Sequence, residues 1–283
     1  MKQIISAVVA VAISLTGAGL SGINADNRFL QAAKATPKPE PTLLSQLTSK
    51  LDLALLAKAS AVFVQSDRYR TESEIRVKAT SGGTNVISLA KVTTLVQAPN
   101  KFRAEITFPS DNGTEVKSIV ISDGKQVWMY RSDLQQYAIT PVEKFDELND
   151  YYWVGILSYW YSTVTPDVRQ LLASGTLADP QVLKEMGMTD TSSLKGASQM
   201  LDGRSLYSYE FTDKEGFTIS ASIEPTTAEF KQIRLNGKSD GFNVDIAERI
   251  LSRTPNPAIA ANAFKFTAPA KAKLVKSVEI GPL

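Results

Sequence analysis

Between Pro99 and Pro141 the chain is an unbroken succession of short strands and tight turns, which restricts this region to an antiparallel sheet. Phe102, Ala104, Ile106 and Phe108 alternate with Lys101, Arg103, Glu105 and Thr107, the period-2 signature of a strand with one apolar face. Asn112-Gly113 follows as a turn dipeptide, because both residues tolerate positive φ. A β-branched run, Ser118 to Ser122, is stopped by Asp123-Gly124, and Val127 to Tyr130 resumes as a strand. That last strand puts Trp128 and Tyr130 on one face and Val127 and Met129 on the other. Large apolar groups on both sides mean that the sheet needs a cover, or something to hold.

The same alternation extends in both directions. Tyr69 to Lys78 and Val86 to Gln97 read as a strand pair turned at Gly82-Gly83, with Tyr69, Thr71, Ser73, Ile75 and Val77 on the milder, inward face. Further strands are expected at Arg204 to Phe211, Gly216 to Glu224, Phe230 to Asn236 and Phe242 to Glu248. In the second of these Phe217, Ile219, Ala221 and Ile223 alternate with Thr218, Ser220, Ser222 and Glu224. Leucines at helical spacing from Leu43 to Phe63 predict an amphipathic helix ahead of the first strand. Residues 142 to 202 interrupt the two strand sets and read as a helical insertion. Asp167 to Ala173, Asp179 to Met188 and Ser192 to Met200 form its short helices or loops.

Within that insertion lies Tyr151 to Val164, YYWVGILSYWYSTV, the densest aromatic stretch of the chain. It reads either as plain core filling the space between helix and sheet, or as a mobile lid, apolar towards a cavity and amphipathic at its tip. Its place between the two strand sets favours the lid, with Trp153, Ile156 and Trp160 as its apolar side chains.

Met1 to Ala25 has the build of an export signal: Lys2, an apolar stretch from Ile4 to Leu15, then small residues. Cleavage after Ala25 or Ala18 fits that pattern. Ile4 to Ile23 is also uncharged over a length that could span a bilayer, so an N-terminal anchor is the competing reading. Both place the folded part outside the cytoplasm. Residues 26 to 42 form a linker ending in the proline-rich Thr36 to Thr42, stiff and extended. Residues 43 to 283 then make one domain.

The sequence contains neither cysteine nor histidine, which excludes thiolate and imidazole chemistry, disulfides, a lipid-modified cysteine and the usual zinc coordination. A formal charge of +2 with interspersed signs argues against a nucleic-acid footprint. No Gly-x-Ser-x-Gly elbow is present, and a serine triad would lack its base. Asp146, Glu147 and Asp150 cluster before the aromatic run, but a solvated, partly helix-capping segment accounts for them better than acid–base work. Asp111-Asn112-Gly113 lacks the ligand spacing of a calcium loop. No catalytic residue, cofactor site or metal site is assigned.

Several motifs resemble one family. Pro99-x-x-Phe102-Arg103, then Asp123-Gly124-Lys125-x-Val127-Trp128-Met129-Tyr130 and a Tyr-containing strand, look like the LolA/LolB-type lipoprotein carriers and their wider superfamily of outer-membrane lipoprotein-sorting-like proteins. Asn256-Pro257-x-Ile259, the Phe264 to Val275 segment, and Ile223-Glu224-Pro225-Thr226 to Ile233 are similar to later units of that superfamily. The resemblance implies an α+β fold, mainly β: an incomplete antiparallel half-barrel of about ten strands, with a helical lid over an apolar cavity. It implies an extracytoplasmic, monomeric carrier, peripheral to the membrane, that sequesters a lipid or lipoprotein acyl chain without catalysis and exchanges it with envelope proteins. A periplasmic sensor or scaffold of the same fold, binding a protein or peptide, is the alternative. Phe102, Ile106, Phe108, Trp128, Tyr130, Phe217, Ile219 and Ile223 are the expected cavity or core lining. In the LolA carriers an arginine before the proline corresponding to Pro99 holds the cavity closed. Here that position is Ala98, so a latch of that kind has no candidate in the motif.

Overall fold

The computed structural model describes residues 51–109, 113–179, 181–182, 194–212, 216–239 and 241–282. The expected export segment, the proline-rich linker and the first half of the predicted helix lie outside the described residues. What is described of that helix is α1, Leu53–Val64, capped by Asp52, whose Oδ1 accepts the Leu55 N–H at 3.0 Å.

Twelve strands form one sheet, two more than expected, and the sheet does not close. In chain order they are β1 Arg68–Ser81, β2 Thr84–Gln97, β3 Lys101–Phe108, β4 Val116–Asp123, β5 Gln126–Arg131 and β6 Gln136–Pro141, then β7 Leu194–Leu201, β8 Arg204–Thr212, β9 Thr218–Glu224, β10 Glu229–Ser239, β11 Phe242–Pro255 and β12 Lys273–Leu274. Their spatial order is β12-β6-β5-β4-β3-β2-β1-β11-β10-β9-β8-β7. Two meanders are thus joined where β1 pairs antiparallel with β11, from Tyr69↔Pro255 to Thr80↔Asn243. A bulge between Glu72 and Ser73 interrupts that ladder and turns Leu251 outward. The turn chemistry follows the sequence: Asp123 Oδ1 accepts the N–H groups of Lys125 and Gln126, and Gly124 takes the positive φ beside it.

β7 corrects the sequence reading. Ser192 to Met200 was expected to end the helical insertion, yet Leu194–Leu201 pairs along its length with β8. It is an edge strand with a largely exposed burial pattern, so it lacks the apolar alternation that marks the other strands. Asp179 to Met188 lies mostly outside the described residues.

The connection from β6 to β7 links opposite sides of the sheet and therefore crosses one of its faces, here termed the inner face. Among its described residues it carries two 3-10 turns, Val142–Glu147 and Tyr151–Val154, then α2, Ile156–Thr163, and α3, Pro166–Ala173, and a third 3-10 turn, Thr176–Ala178. α1 and α3 pack together around Ala57, Val64, Val164, Val168, Leu172 and Leu177. Arg169 ties them by donating to the carbonyls of Val64, Ser66 and Tyr161 at 3.0–3.3 Å.

The C-terminal segment covers the other face and then changes sides. Phe266 stacks over Trp128 and packs against Tyr137 on the outer face, and β12 runs parallel to β6. The chain then rounds the β6 edge and buries Ile280 in the inner core. Ser118 Oγ donates to the Ile280 carbonyl at 2.7 Å, and the buried Arg131 donates to the Gly281 carbonyl at 2.6 Å. Gly281 lies so close to Trp153 that a Cβ there would sit 2.5 Å from the indole nitrogen. Ile280→Ala should therefore lower stability by about 2–4 kcal/mol, through lost burial and the cavity left behind. Chemical denaturation followed by circular dichroism measures it, and a loss below about 1 kcal/mol would mean that the tail is not part of the core.

Candidate functional site

Alternation decides which side chains meet beneath the β6–β7 connection. Phe102, Ala104, Ile106 and Phe108 all bury on the inner face of β3. Their neighbours across the ladder are Ser118, Val120 and Ser122 of β4, then Val127, Met129 and Arg131 of β5. The aromatic run lies directly on this surface. Trp153 meets Phe108 edge-on at 4.9 Å, and Tyr159 meets Phe102 at 5.8 Å and Phe145 at 5.4 Å. Trp153 and Ile156 are fully buried, while Trp160 is partly buried. The apolar space expected to receive an acyl chain is thus filled by the protein's own lid.

The eight lining candidates separate. Phe102, Ile106, Phe108 and Ile223 are fully buried inner-face residues, and Phe217 and Ile219 flank that core partly buried. Trp128 and Tyr130 are not with them. They point to the outer face, opposite Val127 and Met129, where Phe266 covers Trp128. Arg103 is also on the outer face and pairs with Glu105 at 2.9 Å. Among the described residues, a shallow open depression occurs at the β1–β2 tip, lined by Lys78, Thr80, Gly82, Gly83, Asn85 and Asn243, and it includes none of the eight.

Beneath the lid, polar side chains interrupt the apolar surface. Thr71 and Thr94 are cross-strand partners on β1 and β2, Ser73 follows on β1, and Glu248 sits on β11 opposite Ile75. All four are buried. Thr94 Oγ1 donates to the Val154 carbonyl at 2.6 Å, and Thr71 and Ser158 share a hydroxyl bond at 2.7 Å. Glu248 Oε2 accepts the Leu157 N–H at 3.0 Å, and Tyr69 donates its hydroxyl to the Ser158 carbonyl at 2.9 Å. Glu248 therefore stands at the N-terminus of α2, where a helix favours an acceptor. Burial pushes its pKa up, and the amides of Leu157 and Ile156 together with the nearby Ser73 hydroxyl act the other way. Gly155 makes the approach possible: at φ +95°, a Cβ there would lie 3.2 Å from Glu248 Oε1 and 3.3 Å from Thr94 Oγ1.

This polar socket holds the start of α2 against the sheet. Sequence reasoning missed it, because Glu248 closes an expected strand and Thr71 and Ser73 look like mild inner-face positions. The available signal was a carboxylate on the apolar phase of β11, in step with Ile246 and Ile250.

The three insertion carboxylates do not act together. Asp146 and Glu147 are exposed, whereas Asp150 accepts the N–H groups of Ile280 and Gly281 through Oδ2 and so anchors the tail. Among the described residues no cluster of three or more carboxylates is arranged to hold a metal ion.

The family model described as outer membrane lipoprotein carrier protein LolA matches residues 54–149. That stretch contains most of α1, the whole β1–β6 meander and the first 3-10 turn. Over it the chain is LolA-like. No curated protein matches the sequence. Among solved structures it is similar to an uncharacterized conserved protein from Thermus thermophilus, at 14% identity and TM-score 0.40, covering 79% of this chain and 99% of that one. It is also similar to LprF from Mycobacterium bovis, at 13% identity and TM-score 0.39, covering 75% and 97%. A third is the Pseudomonas aeruginosa MucA/MucB complex, at 14% identity and TM-score 0.34, covering 78% and 63%. The LolA-like meander supplies Thr71, Ser73 and Thr94 of the socket, and the later half of the sheet supplies Glu248.

Asp150 gives this region a pH signature. Burial raises its pKa from 3.8 to about 6, with the amides of Gly281 and Ile280 opposing the rise. A carboxyl with a raised folded pKa penalises the fold only where it would otherwise ionise. The penalty is absent below about pH 4, builds as pH rises through 6, and reaches about 3 kcal/mol at most. Asp150→Asn keeps an acceptor oxygen for the tail and removes the charge. The variant should match the native protein at pH 4 and gain on it progressively up to pH 7. Parallel urea titrations check this, and a difference independent of pH would show that Asp150 carries no such penalty.

Proposed function

We propose that this protein is an extracytoplasmic binding protein that sequesters an apolar chain, of a lipid or of a lipoprotein, on its inner face without catalysing a reaction. One observation carries the reading: Trp153 and Ile156 fill the inner face against Phe108 and the rest of the core, so that apolar surface is covered by a segment outside the sheet. The LolA-type lipoprotein-carrier description of the matched family supports the same reading. Binding is an exchange. The acyl chain replaces lid side chains, and each methylene that leaves water contributes about 0.8 kcal/mol. The net affinity is that gain less the cost of undocking the lid, which keeps uptake and release within reach of an envelope donor and acceptor.

The expected export signal and the lack of any histidine or cysteine fit an exported binder without imidazole or thiol chemistry. It acts as a monomer, with residues 43 to 283 as the binding domain.

The test locks the lid. The Thr71 and Ser158 hydroxyls are 2.7 Å apart, and the native chain has no cysteine to compete. Thr71→Cys with Ser158→Cys creates a pair close enough to oxidise. Oxidation should reduce binding of palmitate or an apolar dye at least tenfold, and reduction should restore it. Equal binding by the oxidised and reduced forms would overturn the exchange mechanism. Failure of the native protein to bind either probe would overturn the function.

A further inference from the structure

The β1–β2 hairpin runs on past the end of β3. β2 pairs with β3 only from Lys91↔Thr107 to Gln97↔Lys101, so among the described residues Thr84 to Ala90 have no ladder partner on that side. From Gly82 to Ala90 the chain reads GGTNVISLA, without a charge. Val86, Ile87 and Leu89 in this stretch are 41%, 52% and 50% exposed. A free strand edge is ordinarily guarded by a lysine or a proline, because a bare apolar edge adheres to what it meets. No such guard stands here, and three exposed aliphatic side chains grouped at one tip mark a surface of contact.

Register shows what surrounds them. Directly opposed side chains of neighbouring strands share a face, and Ile87 and Leu89 lie opposite Lys78 and Arg76 of β1 on the outer face. Lys91 is the next outer-face residue of β2, and Lys238 of β10 reaches the same tip row through Asn243 and Thr80. The carboxylates in these rows are already engaged. Asp245 accepts from Arg234 at 2.8 Å with Arg76 4.0 Å away, and Glu74 pairs with Arg249 at 3.3 Å. Lys78, Lys91 and Lys238 form no ion pair among the described residues. The shallow depression at the tip opens on this face too, with Lys78, Thr80, Asn85 and Asn243 as polar lining.

An uncharged aliphatic edge flanked by free cations is complementary to one kind of surface, hydrocarbon behind a layer of anionic headgroups. The free backbone groups of the β2 edge limit how deep it goes. They keep hydrogen-bond partners among headgroups and interfacial water, and would lose them in the hydrocarbon core. We propose that the outer face of the β1–β2 tip is a docking surface for an anionic lipid bilayer. Ile87 and Leu89, with Val86 at the margin, seat in the interface, while Lys78, Lys91 and Lys238 meet headgroup phosphates. Docking is separate from capture of an apolar chain on the inner face, and neither requires the other.

Co-sedimentation of the intact protein with vesicles tests it, using phosphatidylcholine alone and an equal mixture with phosphatidylglycerol. The native protein should bind the mixed vesicles at least about tenfold more tightly, and about 1 M salt should remove most of the difference. Lys78→Gln, Lys91→Gln and Lys238→Gln combined should abolish the preference. Ile87→Ser with Leu89→Ser should weaken binding to mixed vesicles about tenfold. Both variants should melt and bind palmitate like the native protein, since every altered side chain lies outside the core. All share one N-terminus, so differences among them report the tip alone. An environment-sensitive dye on Ile87→Cys should brighten with mixed vesicles, and the same dye on Lys125→Cys, beside Lys101 and Pro99 at the other end of the sheet, should not. Equal binding to both vesicles, or binding that neither variant changes, would overturn the docking surface. So would a protein that ignores vesicles and forms a dimer that Ile87→Ser with Leu89→Ser dissociates, which would assign the edge to a second copy. Palmitate binding without vesicle binding would sink this proposal and leave the functional reading standing.

Discussion

The pairing of β1 with β11 sets the terms for the rest of the molecule. It joins the two meanders at their first and last long strands, which leaves β6 and β7 on opposite sides of the twelve-stranded sheet. Residues between β6 and β7 must then cross the sheet's width, and they can do so only over one face. The lid is therefore a consequence of strand order. A crossing segment must bury an apolar side against the strands and satisfy its own backbone, which explains the combination of aromatic residues and polar sockets found there. The tail acts on the same problem from the other edge, covering Trp128 before it turns inward at Ile280.

Much of this was legible because period-2 alternation reports burial directly. β1 to β5 and β8 to β11 were expected from strand patterning, with bounds shifted by a few residues except at β11, which runs on from Glu248 to Pro255, while β6 came only from the family resemblance. β7 escaped because an edge strand with one neighbour and mostly exposed side chains has little apolar signal to show. The assignment of faces was a different matter. In β5, Val127 and Met129 alternate as strongly as Trp128 and Tyr130, and only the partner decides which pair points inward. That partner for Trp128 is Phe266, far along the chain, and no local pattern reveals such a contact. Size was a misleading guide. The larger residues of β5 went to the outer face, while the smaller ones share the inner face with Phe102.

Glu248 was hidden for a related reason. A carboxylate at the end of an expected strand reads as solvent-facing, the ordinary place for glutamate. Its burial becomes evident only once β11 extends to Pro255 and places residue 248 in phase with Ile246 and Ile250. The same extension aligns it with the Ser73 and Thr71 phase of β1, which the lid then covers. The buried polar socket is therefore a product of register between two strands about 170 residues apart in sequence. Neither strand identifies it alone.

The division of labour on the inner face follows from magnitudes. Apolar contacts are many and non-directional, so they set how strongly a chain or a lid adheres but discriminate poorly between candidates of similar length. The buried polar groups are few, and each one left unpaired costs as much as one to several methylenes contribute. In the exchange proposed above, lid and acyl chain compete for the same apolar strands. At Thr71, Thr94 and Glu248 the lid adds bonds of fixed geometry, donating through the Leu157 N–H, accepting at the Val154 carbonyl and sharing the Ser158 hydroxyl. Those directional bonds fix where the segment sits on a surface whose apolar contacts alone would leave its position open.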